Sequence, residues 1–175
     1  AAGGELGEEG VGPAAAEDCA ATSAAAVVGV GATVASWWDQ PAHGELTQLS
    51  ADEASFVRAW AGAAFPGGDV LALDGADAGL DRFFDGVLAH MPDTQRKLLK
   101  LLLHALDTGS LALAGARFTR LDPQQARRVF HRLSAHDIAE VRGAVSGLTV
   151  LLGMGYTTHP EVSPVMARWH RCGYG

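Results

Sequence analysis

The chain has only two cysteines, Cys19 and Cys172, so neither a CxxC zinc or redox motif nor a CxxCH haem-attachment motif can be written in it. Iron–sulfur and haem chemistry are therefore not housed here. Whether the two cysteines pair with each other, pair with another chain or stay reduced is open at this level, and an even count favours pairing only in an exported protein. Positive charge is also scarce. Thirteen Lys and Arg against 20 Asp and Glu give a net charge of -7 and a pI near 5.4. That balance argues against nucleic acid, because polyanion affinity comes mainly from basic side chains neutralising phosphates. The local exception is Arg117, Arg120, Arg127, Arg128 and Arg132, which reads as a solvated helix face or as a partner-facing patch.

Long apolar runs are missing as well. Residues 20–36 carry no charge but consist of Ala, Gly, Ser, Thr and Val, whereas a bilayer span needs about 20 predominantly apolar residues. A small-residue helix packed on protein, a retained export-signal core or weak anchor, and a loose linker all fit this stretch. An export signal wants basic residues just upstream, and the first Lys or Arg is Arg58.

Catalytic signatures are equally thin. None of the seven histidines (His43, His90, His104, His131, His136, His159, His170) forms an HxxxH or HExxH pair, so no metal site is expected. No GxSxG elbow occurs, and Gly29-Val30-Gly31-Ala32 lacks the third glycine and the flanking strand of a dinucleotide loop. Asp81 and Asp85 stand one helical turn apart, but they flank Phe83-Phe84 on the expected wet side of a helix, where carboxylates are ordinary solubilising groups. No catalytic, cofactor-binding or metal-ligating residue is expected in this chain.

What is present is helical. The chain is long enough for one well-buried core, and 48% of its residues are hydrophobic. Residues 1–45 read as an N-terminal arm containing the small-residue stretch and ending after the Trp37-Trp38 pair, which suits an interface anchor or a membrane-surface belt. Residues 46–175 read as a helical domain. Ser50-Ala51-Asp52-Glu53 is a capping box, and Phe56, Val57, Trp60 and Ala64 follow at helical spacing until Phe65-Pro66-Gly67-Gly68. A second helix is expected over about 77–90, and a third from Pro92 to about Leu106, closed by Asp107-Thr108-Gly109-Ser110. The leucines of that third helix cover more than one face, which predicts a central helix. Asp122-Pro123 opens another, and a last one runs over about 135–152. No segment shows sustained strand alternation. The expected fold is all-α, a compact bundle of about five or six helices with an extended N-terminal arm and a C-terminal tail.

That tail opens with Gly153-Met154-Gly155-Tyr156-Thr157-Thr158-His159-Pro160-Glu161-Val162. It continues to Trp169, Cys172 and Tyr174. Aromatic, glycine-punctuated and held by two prolines, it suits a strap lying in a groove, either on a partner or folded back on its own bundle. Tyr156, His159, Trp169 and Tyr174, with Trp37 and Trp38, are the candidate partner-binding residues.

The run from Leu49 through Ala64-Phe65-Pro66, then Phe83-Phe84-Asp85-Gly86-Val87-Leu88 with Met91-Pro92, then Leu101-Leu102-Leu103-His104-Ala105-Leu106-Asp107, resembles the gluconate 2-dehydrogenase subunit 3 family. Phe118-Thr119-Arg120-Leu121 and the closing Gly155-to-Val162 stretch with Gly173-Tyr174-Gly175 are similar to the family's later landmarks, so the resemblance covers about 46–175. It implies a non-catalytic small subunit that binds and stabilises a large FAD-dependent dehydrogenase or oxidase chain of the glucose-methanol-choline type, which acts on alcohols or sugars. In relatives with a twin-arginine signal it implies carriage of that chain through export. FAD is then expected in the partner and not in this chain. A cytochrome or other electron-transfer subunit is a candidate further partner, and an exported location, periplasmic or membrane-associated, is expected. Some relatives join small and large subunits through a cysteine, which makes Cys172 the first candidate for an inter-chain disulfide and Cys19–Cys172 its rival. The alternatives are a membrane-associated helical scaffold anchored by residues 20–38 and, with less support, a free-standing helical enzyme.

Overall fold

The computed structural model describes the backbone of residues 40–172 and the side chains of residues 40–168. The described residues form six α-helices and no strand: α1 (Ala51–Ala64), α2 (Leu80–Ala89), α3 (Asp93–Ala114), α4 (Pro123–Ser134), α5 (Ala139–Thr158) and α6 (Ser163–Cys172), with one turn of 3-10 helix at Phe118–Arg120. The all-α bundle is as expected from the sequence.

Local chemistry sets most of the helix starts. At α1 the Ser50 hydroxyl accepts from the Glu53 amide at 3.4 Å, and Glu53 Oε2 accepts from the Ser50 amide at 2.8 Å, so the capping box is reciprocal. At α4 the Asp122 carboxylate accepts from the amides of Gln124 and Gln125, both at 2.9 Å. Pro123 at the first position sacrifices no bonded amide. Such caps contribute about 1 kcal/mol each.

Several boundaries differ from the sequence reading, each for a local reason. Helix α3 does not end at Asp107-Thr108-Gly109-Ser110; it runs on to Ala114. Those polar side chains bond helix and loop carbonyls instead of breaking the helix: Thr108 Oγ1 donates to His104 O at 2.7 Å, and Ser110 Oγ to Asp107 O and Ala116 O. The stop is Gly115, whose φ of 73° a side chain would disfavour. Helix α2 begins at Leu80 rather than Asp77, after Gly79. Helix α5 begins at Ala139, after a turn in which the Ile138 amide donates to His136 Nδ1. The C-terminal stretch is not an extended tail as far as Cys172: Gly153 to Thr158 are the last turns of α5, and α6 follows a short turn.

The central helix is α1, not α3. Phe56, Val57, Trp60 and Ala61 are 0–1% exposed, and α1 packs on α2, α3, α4, α5 and the 3-10 turn. Phe56, Trp60, Phe118 and Phe130 form the aromatic heart of the core, with Trp60 5.1 Å from Phe118 and 5.3 Å from Phe130 between ring centroids. Gly75 lets the 66–79 loop lie on α1, because a Cβ there would fall 2.3 Å from Ala61 O.

Candidate partner-binding surfaces

The interior charges decide which surfaces stay free. Helix α3 carries Arg96, Lys100, His104 and Asp107 on one stripe, and that stripe faces inward. Lys100 Nζ lies 3.1 Å from Glu53 Oε2 and donates to Gln48 O at 3.0 Å. His104 Nε2 lies 3.2 Å from Glu53 Oε1. Arg96 donates to Gln48 Oε1 at 2.8 Å, and Asp107 Oδ1 accepts from Thr119 N and Oγ1 at 3.0 and 3.1 Å. Burial by itself pushes the Glu53 carboxyl up, but the bonds from His104 and the Ser50 amide and the Lys100 charge outweigh it and hold the group below its ordinary range.

Asp85 corrects the sequence reading. It is not a solvated group; it is 7% exposed and accepts from Thr47 N and Oγ1, Gln48 N and Leu49 N at 2.7–3.0 Å. Burial pushes its carboxyl up and those amides, with the hydroxyl, pull it further down, to a net position below the ordinary range. Asp81, part-buried, stands 3.9 Å from the half-exposed Arg58 and does not pair with Asp85 in any shared site. These ionisable groups are thus consumed in pinning residues 47–53 and 119 to α2 and α3. Sequence reading missed the arrangement, although polar residues at i, i+4, i+8 and i+11 on a leucine-rich helix were its signal.

The candidate partner residues separate. Tyr156 is turned inward: it is 4% exposed, stacked on Phe65 with centroids 4.9 Å apart, and its hydroxyl donates to Leu73 O at 2.6 Å. Burial, then the Asp74 charge, raises its pKa, so the hydroxyl stays a donor. Its ring belongs to the chain's own core, because α5 brings it over the 66–79 loop. His159 is half-buried at the turn after α5, where its Nδ1 accepts from Glu161 N at 3.3 Å. Trp169 and Cys172 lie in α6, with their side chains outside the described residues. Trp37, Trp38, Tyr174 and Cys19 lie outside the described residues altogether. Among the described residues no group of three His, Cys, Asp or Glu side chains is placed to hold a metal ion, and no helix is long and apolar enough to cross a membrane.

With its charged stripe inward, α3 turns apolar residues outward. Leu98 is 61% exposed and Leu111 49%. Between α3 and α5 lies a groove of about 420 Å³, walled by Leu102, Ala105 and Leu113 on one side and Val141 and Ala144 on the other, with Leu133 of α4 at its floor. Glu140 is the acid among its lining residues. The outer face of α5 is uncharged from Gly143 to Thr158 and exposes Val150 and Met154. Beside the groove, Arg132 Nη1 donates to Leu113 O at 3.3 Å, with Arg128 one turn earlier on the same flank of α4. Among the described residues, Arg117, Arg120, Arg128 and Arg132 have no carboxylate within 4 Å, whereas Arg127 has Asp74 at 3.9 Å.

The family model described as Gluconate 2-dehydrogenase subunit 3 matches residues 51–175. No curated protein and no solved structure matches the chain.

Proposed function

The chain belongs to the gluconate 2-dehydrogenase subunit 3 family, and on that premise we propose that it is the non-catalytic small subunit of a flavin-dependent dehydrogenase complex. It binds and stabilises a large chain that carries FAD and oxidises an alcohol or sugar, and it accompanies that chain through export. The observation that carries this reading is the apolar outer face of α3. Charged groups that could serve chemistry are spent on holding the bundle together, while Leu98, Ala105, Leu111 and Ala112 face outward.

In this role the small subunit supplies contact area and no reacting group. FAD sits in the partner, and the electrons leave from there toward a cytochrome or other acceptor. Cys172, which closes α6, is the proposed joint to the large chain, and the complex works in the periplasm or at the membrane.

The test is purification of the full chain with whatever accompanies it, followed by a visible spectrum and gels with and without reductant. A co-purifying chain of several hundred residues with flavin absorption is the expected result, and loss of a high-mass band on reduction assigns the cysteine joint. A colourless, solitary small protein overturns the reading.

A further inference from the structure

The small and apolar residues on the outer face of α3 fall in a line. Leu98, Leu102, Ala105, Gly109 and Ala112 are spaced four, three, four and three residues apart, the rhythm of a seam into which a second helix fits its side chains at a crossing of about 20°. Four of the five are exposed and Leu102 is half-buried. Nothing within 4 Å would meet a Cβ on Gly109, so the glycine is not required by the chain's own packing. The seam runs along the mouth of the groove between α3 and α5.

Charge says what kind of helix fits. From Gly115 to Ser134 the chain has five arginines and one acid, Asp122, within a protein of net charge -7. Four of those arginines face no carboxylate of the described residues, and Arg132 is fixed at Leu113 O, on the groove's own wall. A second copy of the chain would bring the same positive rim to the seam, whereas an acidic helix would neutralise it.

We propose that the α3 seam, with Arg132 on its rim and Arg128 one turn earlier on α4, is the docking face for an amphipathic helix of the large dehydrogenase chain, apolar on one face and acidic on its flank. This rests on the small-subunit reading above and adds to it the face and the chemistry of the contact. The partner helix lays its apolar side chains over Leu98, Ala105 and Ala112, and its carboxylates meet the guanidinium groups at the C-terminal end of α3. The contact is therefore weakened by salt.

Two sets of variants of the full chain test it against the flavin-bearing chain that accompanies the wild type. Ala105→Trp with Ala112→Trp blocks the seam at exposed positions. Arg128→Glu reverses the rim while leaving the Arg132 bond intact. Thermal melting of each free variant verifies that it folds. The expected result is affinity weaker by about tenfold or more for each set, with the salt dependence flattened in Arg128→Glu. Wild-type affinity in both sets, with the wild type binding, overturns the docking face and leaves the small-subunit reading standing. Failure of the wild type to bind any flavin-bearing chain removes that reading and this inference with it. A wild-type homodimer dispersed by the tryptophan variants assigns the seam to a second copy and overturns the proposal.

Discussion

Asp85 and Leu49 stand 36 positions apart in the chain and are joined by a 2.8 Å hydrogen bond from the Leu49 amide to Asp85 Oδ1. The same carboxylate accepts from Thr47 and Gln48, so one side chain of α2 holds the segment that leads into α1. Asp85→Ala strands three amides and a hydroxyl, a loss of about 3 kcal/mol. Asp81→Asn, next to it on the same helix, should change stability by no more than about 0.5 kcal/mol. Urea unfolding of the two variants measures the contrast, and equal midpoints would refute the anchor role.

Glu53 and Asp85 both have carboxyls held below their ordinary range in the folded chain. A depressed folded pKa means that the unfolded chain takes up the proton first. The stabilisation is fully present above the ordinary carboxylate pKa, about 4, and is lost as pH falls from there through the folded values. Unfolding free energy should therefore be flat near neutrality and decline on the acid side of about 4. The double variant Glu53→Gln, Asp85→Asn should start lower and decline less steeply.

Tyr156 holds the end of α5 to the 66–79 loop in two ways, by its stack on Phe65 and its bond to Leu73 O. Tyr156→Phe keeps the first and loses the second, at about 1 kcal/mol. Tyr156→Ala loses both, at about 4 kcal/mol. Loss of a bound partner in the alanine variant is expected to track its lowered melting temperature. A Tyr156→Ala chain that melts like the wild type would contradict this.

Three glycines of α5 differ in the room left for a side chain. Gly143 and Gly147 have open space where a Cβ would stand, while a Cβ on Gly155 would lie 2.5 Å from the Phe83 ring. Alanine at 143 and 147 should raise stability by about 1 to 2 kcal/mol together, through better helix propensity. Gly155→Ala should lower it by about 2 kcal/mol, because α2 and α5 must move apart. Thermal midpoints of the free chain decide both.

The sequence by itself determined the helical class, the starts of α1 and α4 and the inward face of α1 that carries Phe56, Val57 and Trp60. Caps and helical periodicity act within a few residues, so Ser50, Glu53, Asp122 and Pro123 specify their turns without reference to the rest of the chain. It also held the family resemblance, carried by the order of its landmarks. Only the tertiary structure decided which face of each helix is inside. Leucine content marks α3 as central, yet Lys100 and His104 found Glu53, and Asp107 found Thr119. With those partners in place the charged stripe could be buried beside Leu103 and Leu106, and Leu98 and Leu111 left outside. The same holds for Asp85 and Tyr156: a carboxylate and a phenol go wherever distant amides and carbonyls will satisfy them. Those partners, 36 and 83 positions away in sequence, exist only once the chain has folded.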